Sequence, residues 1–149
     1  MLTTPGGFLL VLAVLVPFVG VLVGLALGGR HAQRVAAMTL AAGLAVAAGI
    51  AYTLVQPVAY LLGGWAPPLG IALRADTLSV VMMLVVAVVV CGIAVYARAD
   101  FGQSAGTPEG RAPLVFWLLL LAVWGSLNLV FVSGDLFTLY VALELLTFS

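Results

Sequence analysis

From Gly6 to Leu27 the chain carries no charged and no amide side chain, only small, branched and aromatic apolar groups around one proline. A hydrocarbon core of about 30 Å is crossed by about 20 helical residues. Runs of this kind recur along the sequence, and they leave little choice of solvent. Of 149 residues, 65% are hydrophobic and 7% charged, against about 25% charged in a soluble domain. A surface so poor in charge cannot stay wet, so lipid has to cover it. Backbone amides in lipid must find partners within the chain, which makes each crossing a helix. The fold class expected is therefore all-α, a polytopic transmembrane helix bundle. Met1 to Gly7 has no basic residue, and the apolar run behind it is longer than the core of a signal peptide, so it reads as a retained span.

Five spans are expected, at about 6–27, 35–62, 77–96, 113–132 and 135–149, in a single membrane domain. In the first, Gly20, Gly24 and Gly28 recur every four residues and line one face, where small residues let another backbone approach. The bland reading, that glycine is simply common in such helices, stays open. Pro17 kinks this helix or is accommodated by its neighbours. A polar turn at 28–34 holds Arg30, His31 and Arg34, and His31 reads as a solvated loop residue. The second span is too long for one straight crossing, and Gln56-Pro57 breaks or ends it. The second loop, 63–76, is rich in Gly and Pro; Trp65 suits an interfacial belt, and Asp76 suits a helix N-cap. The third loop, 97–112, carries Arg98, Asp100, Glu109 and Arg111. Pro113 suits the first turn of the fourth helix. Asn128 is expected to hydrogen-bond a neighbouring helix. Ser133-Gly134 is too short a turn for anything but antiparallel neighbours, and Asp135 then caps helix five.

Five arginines balance five acidic residues, and there is no lysine. Neutral charge without a basic cluster excludes a nucleic-acid partner. The single cysteine, Cys91, lies in an apolar run and reads as a packing residue. No metal, nucleotide or cofactor motif occurs, and no catalytic constellation. The first and third loops hold four arginines and the second holds one, so the positive-inside rule places those two loops in the cytoplasm and the N-terminus outside.

The last stretch, Asp135 to Ser149, holds one carboxylate in its middle. Glu144 is nine residues beyond Asp135, roughly 13 Å along a helix and so near a bilayer midplane. A carboxylate there costs about 2.5–3.5 kcal/mol on insertion scales, faces a bundle interior or a watery cavity, and has a partner. Residues three, four and seven away share its face, namely Phe137, Tyr140, Val141, Thr147 and Phe148. Tyr140 and Thr147 are its candidate hydrogen-bonding companions. Asp135, half a turn off, does not join them. Desolvation favours the neutral acid and a nearby cation the carboxylate, and a group held between the two can relay a proton. The competing reading is a Glu that only ties helices together. The fifteen residues of this span give roughly 22 Å of helix, short of a full crossing.

Gly63-Gly64-Trp65, Pro68-Leu69-Gly70-Ile71, Ala75-Asp76-Thr77-Leu78-Ser79 and above all Ser133 to Leu146 carry a resemblance. They resemble the antiporter-like subunits: the D-type member of Mrp-type Na⁺/H⁺ antiporters, the L, M and N subunits of respiratory complex I (NADH-quinone oxidoreductase), and their counterparts in membrane-bound hydrogenases and formate hydrogenlyase. The likeness covers roughly residues 63–149 and is only hydropathic over the first two spans. It implies a membrane subunit of a proton- or cation-translocating complex, with Glu144 at the position of the family's fifth-helix Glu, which pairs with a Lys on a later helix. It also implies other membrane subunits as partners, protons or Na⁺ as cargo, and inverted helical repeats. No lysine and no later helices are present, so the expectation is the N-terminal part of a longer subunit in the cell membrane. Any catalytic role would then belong to a redox-driven complex rather than to this chain. The alternative is a structural or assembly subunit that packs helices without moving ions.

Overall fold

The computed structural model describes residue 4 and residues 6–53, 57–65, 69–100 and 111–149, with the backbone alone at 29 and 30. Five helices follow one another: α1 (Phe8–Leu27), α2 (Gly29–Thr53), α3 (Thr77–Asp100), α4 (Arg111–Val132) and α5 (Leu136–Phe148). Two short strands, β1 (Val58–Leu61) and β2 (Ala72–Ala75), stand between α2 and α3. Helices α1 to α4 are each long and apolar enough to cross a membrane. Their outward residues are apolar too: Leu22, Leu78 and Val88 are each more than 60% exposed, a surface that suits lipid and not water. The chain is a multi-pass, all-α membrane bundle.

The second helix departs most from the sequence reading. It begins at Gly29, not Val35, and among the described residues its helical run reaches Thr53 rather than Leu62. Arg30, His31, Gln33 and Arg34 thus form its first turns, and the polar turn contracts to Gly28 (φ 73°), whose N–H returns to the Gly24 carbonyl at 3.1 Å. That left-handed backbone is one glycine adopts without strain. Residues 58–61, expected as the end of the span, pair antiparallel with 72–75 in the register Val58↔Ala75 to Leu61↔Ala72. A four-residue apolar run behind a proline fits a strand as well as a helix end. Helix α3 continues past Tyr96 to Asp100, through the good helix formers Ala97, Arg98 and Ala99. Gln56, Pro67-Pro68 and Glu109 lie outside the described residues.

Helix α4 is the hub and packs against all four others, while α5 packs against α4. Glycine makes these approaches close. The Trp124 ring of α4 rests directly on Gly43 of α2, and Thr39 of α2 sits where a side chain at Gly20 would be. Gly24 faces Leu118 of α4. The three glycines spaced by four therefore meet an α2 side chain, an α4 side chain and a turn.

Pro17 is fully buried. It has no N–H, so the carbonyl four residues back, on Ala13, loses its ladder donor. Asn128 of α4 supplies the missing bond, its Nδ2 donating to Ala13 O at 2.8 Å. The expected interhelical bond of Asn128 thus lands on the gap that the proline opens.

The hairpin caps one end of the bundle. Val58, Leu73 and Ala75 join Leu10, Ile50, Met83 and Val132 in one core cluster. A second cluster around Ala36, Val90, Trp117 and Trp124 fills the other half.

Candidate functional site

Helix α5 starts where α4, the hairpin and a carboxylate meet. The Ser133 hydroxyl donates to the carbonyls of Leu129 and Val130, both at 2.8 Å, and closes the last turn of α4. Gly134 N–H then donates to Ala72 O at 2.8 Å. Ala72 returns the bond, its N–H donating to Asp135 Oδ2 at 3.2 Å. The same carboxylate accepts from Thr138 N–H at 2.8 Å and from the Thr138 hydroxyl at 2.6 Å. Asp135 is thus the N-cap of α5 and also its clamp to β2. A Cβ on Gly134 would lie 2.8 Å from Ala72 O, so nothing larger fits without moving the strand. Nothing in the Gly- and Pro-rich composition of 63–76 announces this clamp.

From that anchor the face of α5 is set. Thr138 and Ala142 are its buried residues, and they turn toward α4. Glu144 is two residues past Ala142, about 200° round the helix. It lies on the far side and is exposed. Phe137, Tyr140 and Phe148 on the same side are 62%, 61% and 82% exposed. The carboxylate therefore points away from this bundle. Tyr140, one turn earlier, lies on the same face and close enough to interact electrostatically with it. Thr147 is not part of that pair: its hydroxyl donates to the Leu143 carbonyl at 2.8 Å. Chemically, the site is a carboxylate with a phenol beside it on an otherwise apolar lateral face. Such a pair can take up or hand on a proton through a group arriving from the side.

Asp76 lies far from Glu144, at the hairpin end. It caps α3: Ser79 N–H donates to Oδ1 at 2.9 Å and the Ser79 hydroxyl to the same oxygen at 3.1 Å. The Ser79 amide, followed by its hydroxyl, holds the Asp76 carboxyl below its ordinary pKa of 3.8. Sequence reasoning did not single out Ser126. Its hydroxyl, Trp124 Nε1 and Asn128 Oδ1 are buried in α4 without a hydrogen-bond partner among the described residues.

Curated proteins resemble this chain in sequence. Over 112 residues the chain is 40% identical to the NADH-quinone oxidoreductase subunit N of Desulforudis audaxviator, a match that covers 71% of this chain and 22% of that protein. The chain is similar to the antiporter-like subunits. It is 34% identical over 85 residues to the D-type Na⁺/H⁺ antiporter subunit of Bacillus subtilis, covering 57% of this chain and 16% of that one. It is 36% identical over 96 residues to the putative antiporter subunit mnhD2 of Staphylococcus haemolyticus, covering 61% and 17%. The chain spans about a fifth of the length of these antiporter-like relatives. No family model matches it.

Proposed function

We propose that the chain contributes to a proton- or cation-translocating membrane assembly, with Glu144 as an intramembrane relay carboxylate. The observation that carries this reading is the placement of Glu144: mid-helix, beside Tyr140, on the face of α5 turned away from the bundle. A carboxylate at that depth calls for a partner, and the open lateral face leaves room for another helix to bring a cation beside it. The names of the relatives, an oxidoreductase subunit and antiporter subunits, support the same class of activity and partners. Protons or Na⁺ are the cargo, other membrane subunits the neighbours, and the cell membrane the location. Arg34, Arg98 and Arg111 lie at the end of the bundle opposite Arg74, which supports a cytoplasmic placement for the arginine-rich end.

The test is Glu144→Gln in the assembled complex, reconstituted in proteoliposomes. Amide for acid keeps the shape and removes the exchangeable proton. Ion translocation falls by about 10²-fold while subunit assembly stays normal. Undiminished translocation in a normally assembled complex overturns the relay.

A second reading, that of a packing subunit which moves no ions, draws on the glycine seats of α1 and α2 and on the aromatic side chains flanking Glu144. It expects Glu144→Gln to lower complex yield and leave the translocation of what assembles unchanged.

A further inference from the structure

At the arginine-rich end, the start of α2 and the end of α3 border a groove of about 210 Å³. Its floor is apolar, with Leu40, Cys91, Ala94 and Trp117 among the lining residues. Its mouth is polar, with Gln33 and Arg98 at the rim. It runs on into an outer recess of about 480 Å³ bounded by Gln33, Arg34, Met38 and Arg98. The helical register produces this gradient. Arg98, Ala94 and Cys91 follow at four and seven residues on one face of α3, and Gln33, Ala37 and Leu40 do the same on α2. Seven residues of helix span about 10 Å, so the two guanidinium groups stand over an apolar slot of roughly that depth.

Among the described residues, the charge lining this recess has one sign. Asp100 is two residues past Arg98, about 200° round α3, and turns from the groove. Among the described residues neither Arg34 nor Arg98 forms an ion pair. Arg111 begins α4 at the same end and adds a third exposed cation. The helices that form the groove are long and apolar enough to cross a membrane, and its open side lies on the lateral surface of the described bundle.

We propose that this groove seats an anionic phospholipid. The phosphate lies between Arg34 and Arg98 with Gln33 as a further donor, and one acyl chain lies along Ala37, Leu40, Cys91 and Ala94. Cationic recesses between membrane helices are suited to lipid headgroups, each arginine near the surface contributing about 1 kcal/mol. The apolar floor selects a lipid over a free phosphate, which would have no use for it.

The experiment is native mass spectrometry of the full chain in detergent, with phosphatidylglycerol or phosphatidylcholine added. The chain retains phosphatidylglycerol preferentially. The double variant Arg34→Gln/Arg98→Gln, with helicity checked by circular dichroism, loses about thirtyfold of that preference. Ala37→Leu, which fills the slot and alters no charge, also releases the lipid. Equal retention of the two lipids by the unaltered chain overturns the proposal. So does loss in the arginine variant alone, which would mean surface attraction without a seat. A second readout needs no variant. Cys91 is the chain's single thiol, and phosphatidylglycerol slows its reaction with an apolar maleimide where phosphatidylcholine does not. Equal slowing by both lipids also overturns the proposal.

Discussion

Asn128 repairs a defect made in another helix: proline at 17 removes one donor, and the acceptor left behind is Ala13 O. Replacing Asn128 with Ala leaves a buried carbonyl unpaired, at about 1–2 kcal/mol. On a Pro17→Ala background the helix regains its own N–H, and the same replacement costs about half as much or less. Thermal unfolding of the four proteins in detergent gives the coupling, and equal costs on both backgrounds would refute the pairing. Asp76 makes a pH prediction. Its folded pKa is depressed, so its contribution to α3 is complete above the ordinary value of 3.8 and is lost as pH falls through the lower folded value. Asp76→Asn flattens that acid limb of a stability–pH curve and leaves the neutral region nearly unchanged. The caps Asp76 and Asp135 were legible from residue type and position. So was the face shared by Glu144 and Tyr140, because 100° per residue decides it. The Asn128–Ala13 bond was legible only in half, since the sequence names the donor and the defect but not their meeting.

At the level of elements, α5 is held by a clamp at its start and a narrow seam along one side. Asp135→Ala removes the cap and the bond from Ala72 together, a loss of about 2 kcal/mol. Hydrogen exchange then rises in the first turn of α5 and in β2 at once. A rise confined to α5 would show that the clamp does not couple them. Gly43→Ala pushes a methyl into the Trp124 ring, an overpacking that costs about 1–3 kcal/mol; thermal unfolding reads it, and Trp124→Leu on the same background restores part of the loss. The hairpin that makes the clamp was not legible. Val58 to Leu61 is as apolar as the helix before it, and a run so short has no period to distinguish strand from helix. The early start of α2 was hidden for a related reason: Arg, His and Gln read as loop by polarity, though long side chains leave a membrane helix readily at its end.

For the whole molecule, the two ends differ in kind. One is closed by a hairpin and two capping carboxylates, and the other carries three arginines around an apolar-floored groove. With Cys91→Ala as background, His31→Cys is labelled by a membrane-impermeant reagent only after the cytoplasmic side is opened, and Ser79→Cys only from the outside; the reverse pattern would invert the topology. Because α4 supplies the Trp124 that fills the Gly43 notch and the amide that completes α1, helices one to three cannot finish packing before it arrives. During synthesis the notch and the bare carbonyl must wait in the bilayer, so an insertase that shelters three half-matched helices until the fourth emerges would decide how much of this protein a cell can make.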